Sequence, residues 1–256
     1  MKLAYLKYPF WQKGYPVTFF IGFFFLIIVL LSFPVNTAFA DVVVFDNVVP
    51  VNKTIKLKAL TKGRFFTEGG KLVTFYVEGK KIGTTLSGGD GFAFFKYTPS
   101  SQGIINIKVE AGDEGDEGVI LAAGKKDNIV IIEIESILLE NIFSRKAIKD
   151  SNESLKQLSE NFRILYITTM IGARESRKWL KEKGFPVFPV FKWEGVEMLN
   201  ELREQGIEVY AIIASPAVLS EASDINKRFS FNETEDATEV KDLPDFLNQL
   251  QSNGDK

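Results

Sequence analysis

The apolar pattern of this chain changes period once, near Asn128, and that change restricts it to two different kinds of layer. Before it, Thr54 to Leu60 alternates apolar with polar or basic residues, the period of a strand with one face in a core and one in water. After it, Ile129 to Ile134 is an apolar run broken only by Glu133, as expected of a strand buried on both faces. A sheet covered on one side and a sheet covered on both belong to different architectures. A boundary near Lys125–Asn128 therefore divides the chain into regions 41–127 and 128–256, each expected to fold as a domain.

Short strands dominate the first region. Val42–Phe45, Thr54–Leu60, Lys71–Val77, Lys81–Thr85, Phe92–Tyr97, Ile104–Val109 and Val119–Ala123 are each flanked by turn residues. Glu78-Gly79 between two of them signals a hairpin. About seven regular strands without a helical period predict an antiparallel sandwich. In the second region, strands at 129–134, 164–167, 187–191, 207–213 and 228–231 alternate with helical patterns at 151–161, 174–183, 196–205, 217–223 and 243–251. Gly184 and Gly206 stand where two of these helices should end. That alternation predicts a parallel sheet with helices on both faces.

Residues 1–40 have their own character. Lys2, Lys7 and Lys13 precede an apolar run from Val17 to Phe33, Pro34 ends it, and Ala38-Phe39-Ala40 offers small residues for a signal peptidase. This is the pattern of a secretory signal, with cleavage expected before Asp41. The run also approaches the length that spans a bilayer. Left uncleaved, residues 17–33 would anchor the chain with its lysine end in the cytoplasm. Either outcome places Asp41 onward outside the cytoplasm, in the periplasm or on the outer side of the membrane.

Composition removes several chemistries. With no cysteine and no histidine, Ser-His and Cys-His nucleophiles, thiolate chemistry and histidine-bound zinc are excluded. Residues 1–40 hold three of the 31 basic residues and none of the 33 acidic ones, so the remainder carries a net charge of −5. No nucleic-acid partner is expected of such a chain. Glu110 to Gly118 packs five carboxylates into nine residues. It is read as a solvated hairpin tip, with Asp113 and Asp116 as weak candidates for calcium.

Two resemblances follow. Phe75-Tyr76-Val77-Glu78-Gly79-Lys80-Lys81-Ile82-Gly83, then Asp90-Gly91-Phe92-Ala93 and Tyr97-Thr98-Pro99-Ser100-Ser101-Gln102-Gly103 resemble bacterial immunoglobulin-like repeats, which serve as spacers, adhesive surfaces or docking platforms. The second region, from Asn128 to about Leu250, resembles the haloacid dehalogenase (HAD) superfamily, in particular its lipin-like and acid-phosphatase-like members with little or no cap. The residues that carry this are Ile131-Ile132-Glu133-Ile134-Glu135-Ser136-Ile137-Leu138, Arg163-Ile164-Leu165-Tyr166-Ile167-Thr168-Thr169, and Arg174-Glu175-Ser176-Arg177-Lys178-Trp179-Leu180 leading into Gly184-Phe185-Pro186. The fold so implied is an α/β three-layer, Rossmann-like parallel sheet behind an all-β immunoglobulin-like sandwich.

In that family two aspartates end the first strand, one as nucleophile and magnesium ligand, the other as general acid and base. Glu133 and Glu135 match them, each with one methylene too many. Thr168 matches the hydroxyl that holds the phosphoryl group, and Lys192 is the nearest match to the cation that neutralises it. Ala214-Ser215 stands where the family has Gly-Asp, and Glu221 comes too late to replace that aspartate. Displacement of a reacting group by ~1 Å can cost on the order of a hundredfold in rate, and Mg²⁺ demands near-ideal octahedral geometry. The resemblance therefore implies a vestigial site at Glu133, Glu135, Thr168, Lys192 and Ser215, with no catalytic residue, metal or cofactor expected. The simplest account of the two glutamates is that they reach solvent or a basic neighbour at a sheet edge. The expected role is a binding or accessory module with an envelope protein or membrane complex as partner. The alternatives are an atypical Mg²⁺-dependent phosphatase using Glu133 and Glu135, and a membrane-anchored accessory subunit of a larger complex.

Overall fold

A computed structural model describes residues 41–63 and 66–252. The expected signal or anchor, with its apolar run 17–33, lies outside them. Among the described residues no helix is long and apolar enough to cross a membrane.

Eight strands build the first layer pair: β1 (Asp41–Val44), β2 (Asn47–Pro50), β3 (Ile55–Lys62), β4 (Leu72–Val77), β5 (Lys80–Leu86), β6 (Phe92–Tyr97), β7 (Gly103–Ala111) and β8 (Glu114–Ala123). They form a three-stranded sheet, β1-β3-β6, and a five-stranded sheet, β2-β8-β7-β4-β5. All pairings are antiparallel except β2 with β8. This is an immunoglobulin-like sandwich. Leu57 and Ala59 from the small sheet meet Val73, Phe75, Ile107, Val109 and Ile120 from the large one in a single core. The β4–β5 hairpin closes where predicted. Glu78 (φ 48°) and Gly79 (φ 73°) both take positive φ, as a two-residue hairpin turn of the right twist requires.

Two details differ from expectation. β2 is too short and too close to β1 to stand out as a strand of its own. The acidic stretch 110–118 is the hairpin end expected of it, but only its turn is free of the strands. β7 runs on to Ala111 and β8 starts at Glu114, so the turn is Gly112-Asp113 and the remaining carboxylates stand on paired strands.

The second layer set is a six-stranded parallel sheet built from β9 (Ile129–Glu133), β12 (Arg163–Thr168), β13 (Val190–Lys192), β14 (Val209–Ile213), β15 (Arg228–Ser230) and β16 (Thr238–Glu239), ordered β13-β12-β9-β14-β15-β16. A small hairpin, β10 (Leu139–Asn141) with β11 (Lys146–Ala147), stands outside it. The helices are α1 (Ile134–Ile137), α2 (Ser151–Asn161), α3 (Ala173–Glu182), α4 (Val196–Glu204), α5 (Pro216–Glu221) and α6 (Leu243–Ser252). Alternate residues of β9 feed opposite cores. Val130 and Ile132 pack with Leu155, Leu158, Trp179, Leu180 and Phe246 of α2, α3 and α6. Ile129 and Ile131 pack with Met198, Leu199, Leu202, Val218 and Leu219 of α4 and α5. This is why the sequence of β9 is apolar without alternation.

The strand expected over 187–191 forms only at Val190–Lys192. Pro186 and Pro189 lack the N–H that a ladder needs, and the segment between them runs beside α3 instead.

The two layer sets meet closely. Val48, Leu121 and Ala123 of the sandwich belong to the same hydrophobic cluster as α4 and α5. A row of basic residues on α3 faces sandwich carboxylates. Arg174 Nη1 lies 2.6 Å from each Asp41 carboxylate oxygen. Arg177 Nη2 donates to Asp116 (2.9 Å) and to the Val44 carbonyl (3.1 Å). Asp46, fully buried, accepts the amides of Val119 and Val190, both at 2.8 Å, with Arg177 Nη1 at 3.4 Å. Burial raises the Asp46 carboxyl from 3.8 to about 6, against the opposing pull of Arg177 and the two amides.

Candidate functional site

Glu133 ends the central strand β9, Thr168 ends β12 on one side of it, and Ser215 follows β14 on the other. The chain crosses over in opposite directions from these two neighbours, so the carboxyl end of β9 is the switch point of the sheet, where open α/β folds bind ligands. Glu135 lies two residues on, in the helical turn α1.

The structure brings four of the five expected residues together. Glu133 is 3% exposed. Its Oε2 accepts the Ser136 hydroxyl and the Ser215 amide, both at 2.7 Å. Its Oε1 accepts the Thr169 hydroxyl at 3.1 Å. Glu135 Oε1 accepts three consecutive backbone amides, from Thr169 (3.1 Å), Met170 (3.0 Å) and Ile171 (2.9 Å). The buried Thr168 hydroxyl lies 2.5 Å from the same oxygen and also against the Ile171 carbonyl, with one proton to share between them. Glu135 Oε2 is buried without a hydrogen-bond partner.

Neither glutamate therefore behaves as a sheet-edge residue reaching for water or a cation, and that expectation is corrected. β9 is the middle strand of the sheet, and no ion pair to either glutamate occurs among the described residues. A buried carboxylate needs compensation, and here backbone amides and hydroxyls provide it. Lys192 is the residue left out. It ends β13, is exposed, and its side chain makes no ion pair or hydrogen bond among the described residues. Ser215 contributes its amide and not its side chain. Glu221 closes α5 and accepts the Trp193 indole N–H at 2.8 Å.

Three consecutive amides and a hydroxyl converging on one point form a cradle for an anionic oxygen. In this chain the oxygen is the protein's own. As a magnesium site the set is short of ligands: donors cover Glu133 Oε2 and Glu135 Oε1, which leaves only Glu133 Oε1 and the unpartnered Glu135 Oε2 to face a cation that prefers octahedral coordination. Sequence reasoning missed Ser136, Thr169 and the amides of 169–171. The two hydroxyls stand within the stretches that carry the HAD resemblance, but a run of amides has no side-chain signature.

Of the calcium candidates, Asp113 lies in the two-residue turn and Asp116 is held by Arg174 and Arg177. Among the described residues, no group of three or more carboxylates is arranged to hold an ion. A separate cleft of about 550 Å³ lies between the sandwich and α3, lined in part by Lys108, Glu117, Val119, Lys178, Phe185 and Val187. It contains none of the strand-end residues.

No protein-family model matches this chain, and no curated protein matches it. Solved structures do, each over about a third of its length. It is similar to the Yersinia pseudotuberculosis adhesin InvE at 12% identity and a TM-score of 0.28, covering 33% of this chain and 32% of that one. The fibronectin(III)-like modules of Clostridium thermocellum CbhA match at 20% identity and 0.26, over 34% and 48%. Domains 4 and 5 of the S-layer protein SbsC match at 12% and 0.25, over 34% and 47%. This chain thus spans less than half the length of each of these three.

Proposed function

We propose that this is an exported, non-catalytic binding or accessory protein of the cell envelope, in which the α/β domain keeps the frame of a HAD phosphatase without its chemistry. One observation carries the proposal: the Glu135 carboxylate fills the amide cradle at the strand ends. A phosphoryl oxygen would need that space, and phosphoryl transfer depends on donors left open for the developing charge. Support for the family frame comes from the strand order, from the switch-point position of Glu133, and from Thr168 at the end of the neighbouring strand. Export rests on the lysine-flanked apolar run and the Ala38-Phe39-Ala40 site.

Hydrolysis of an aryl phosphate with Mg²⁺ tests the chemistry. Turnover is expected to stay at background in the native chain and in Glu133→Ala alike. Metal-dependent turnover that Glu133→Ala abolishes would establish the atypical phosphatase instead. Intact mass of protein from the native host tests the address: cleavage before Asp41 is expected, and a mass that includes residues 1–40 would favour the anchored subunit.

A further inference from the structure

The outward face of the small sandwich sheet is both aromatic and basic. Strand alternation turns Val43 of β1, Lys56, Lys58, Leu60 and Lys62 of β3, and Phe92, Phe94 and Lys96 of β6 away from the core. Phe45 continues that face past the end of β1, 6.2 Å from the Phe92 ring, and Phe92 in turn stacks on Phe94. Lys58 Nζ sits over both Phe45 and Phe92, at 4.6 and 4.4 Å. Phe94 is 48% exposed.

Apart from Lys58 over its two rings, the charges on this face make little sense as stabilising elements. Lys56 and Lys96 stand directly opposite each other across β3 and β6, an arrangement that weakens a sheet. None of Lys56, Lys58, Lys62 and Lys96 has a carboxylate partner among the described residues. Asp41, the acidic residue across from Lys62, is taken by Arg174. Four lysines without a carboxylate partner around a half-exposed aromatic cluster, on a chain whose residues 41–256 carry a net charge of −5, call for a complement outside the molecule.

We infer that this face docks on an anionic phospholipid surface, the lysines at headgroup level and Phe94 in the interface. Lysine clusters are drawn to anionic lipid, and aromatic rings favour the headgroup boundary. In the anchored alternative, with residues 17–33 retained, Pro34–Ala40 would also hold β1 within ~25 Å of the bilayer.

Residues 41–256 contain every described element and all three hydrophobic clusters, so this chain is the one to use. Its co-sedimentation with vesicles of phosphatidylcholine plus phosphatidylglycerol should be strong at low salt and reduced at high salt. With phosphatidylcholine alone it should be at background. Lys56→Glu with Lys62→Glu and Lys96→Glu should lower partitioning at least ~10-fold, and Phe94→Ser several-fold. Lys96→Glu alone separates docking from folding. It replaces the Lys56–Lys96 repulsion with an attraction, so its melting temperature should hold or rise while vesicle binding falls. Equal binding to neutral vesicles, binding that survives the triple substitution, or capture of a soluble acidic polysaccharide without vesicle binding would each overturn the inference.

Discussion

Two groups of buried carboxylates are satisfied in opposite ways in this molecule. At the junction of sandwich and α/β sheet, Asp46 and Asp116 face the guanidinium groups of Arg174 and Arg177. At the strand ends, Glu133 and Glu135 meet hydroxyls and amides and no cation. The junction is an ion network, and its worth lies in keeping every member present, since removing one partner strands the others. The strand-end group is a set of dipoles around a charge, an arrangement that in an enzyme receives a substrate anion. Here the chain supplies the anion itself.

The largest effect should come from the junction. Arg177→Met keeps the apolar stem of the side chain but leaves Asp46 and Asp116 without their shared cation, and should cost about 3–5 kcal/mol. Denaturant unfolding measures it; a loss below ~1 kcal/mol would mean that the junction is only a surface ion pair. Glu133→Ala comes next. It strips an acceptor from the Ser136 and Thr169 hydroxyls and the Ser215 amide, and should cost about 2–3 kcal/mol. A value within ~0.5 kcal/mol of zero would restore the solvent-facing account of this residue.

The smallest of the three effects is a pH dependence. Asp46 titrates at about 6 when folded, above its ordinary 3.8. Between those values the folded chain holds the proton and the unfolded chain does not. The contribution of this group therefore rises as pH falls, by about 1.4 kcal/mol from pH 7 to pH 5. Asp46→Asn should lack that gain, so its stability gap to the native chain should widen by that amount at pH 5. A gap constant with pH would show that Arg177 and the two amides outweigh burial.

Periodicity made most of this fold legible. The switch at Asn128 separates one-sided from two-sided strands because alternation and continuous apolarity report directly on which faces are covered. β2 was not legible, since four residues beside another strand carry no period of their own. Nor was the extent of strand pairing at 114–118, where charge suggested a solvated hairpin tip and the structure carries β8 through all three carboxylates. At the site, Glu133, Glu135 and Thr168 were legible as a group only through the resemblance of their strand ends to HAD motifs. What fills the cradle was not, because the amides of 169–171 are chemically identical to every other amide until the backbone turns them to one point. The Asp46–Arg177 contact was equally invisible, as it joins residues far apart along the chain.

The central claim is that the anion cradle at the strand ends is occupied by Glu135. Calorimetric titration of inorganic phosphate into residues 41–256 and into the Glu135→Ala form, with circular dichroism confirming that both are folded, tests it most directly. The account predicts no detectable binding to the native chain and measurable binding once the carboxylate is removed. Phosphate binding to the native chain as tight as to Glu135→Ala would contradict it.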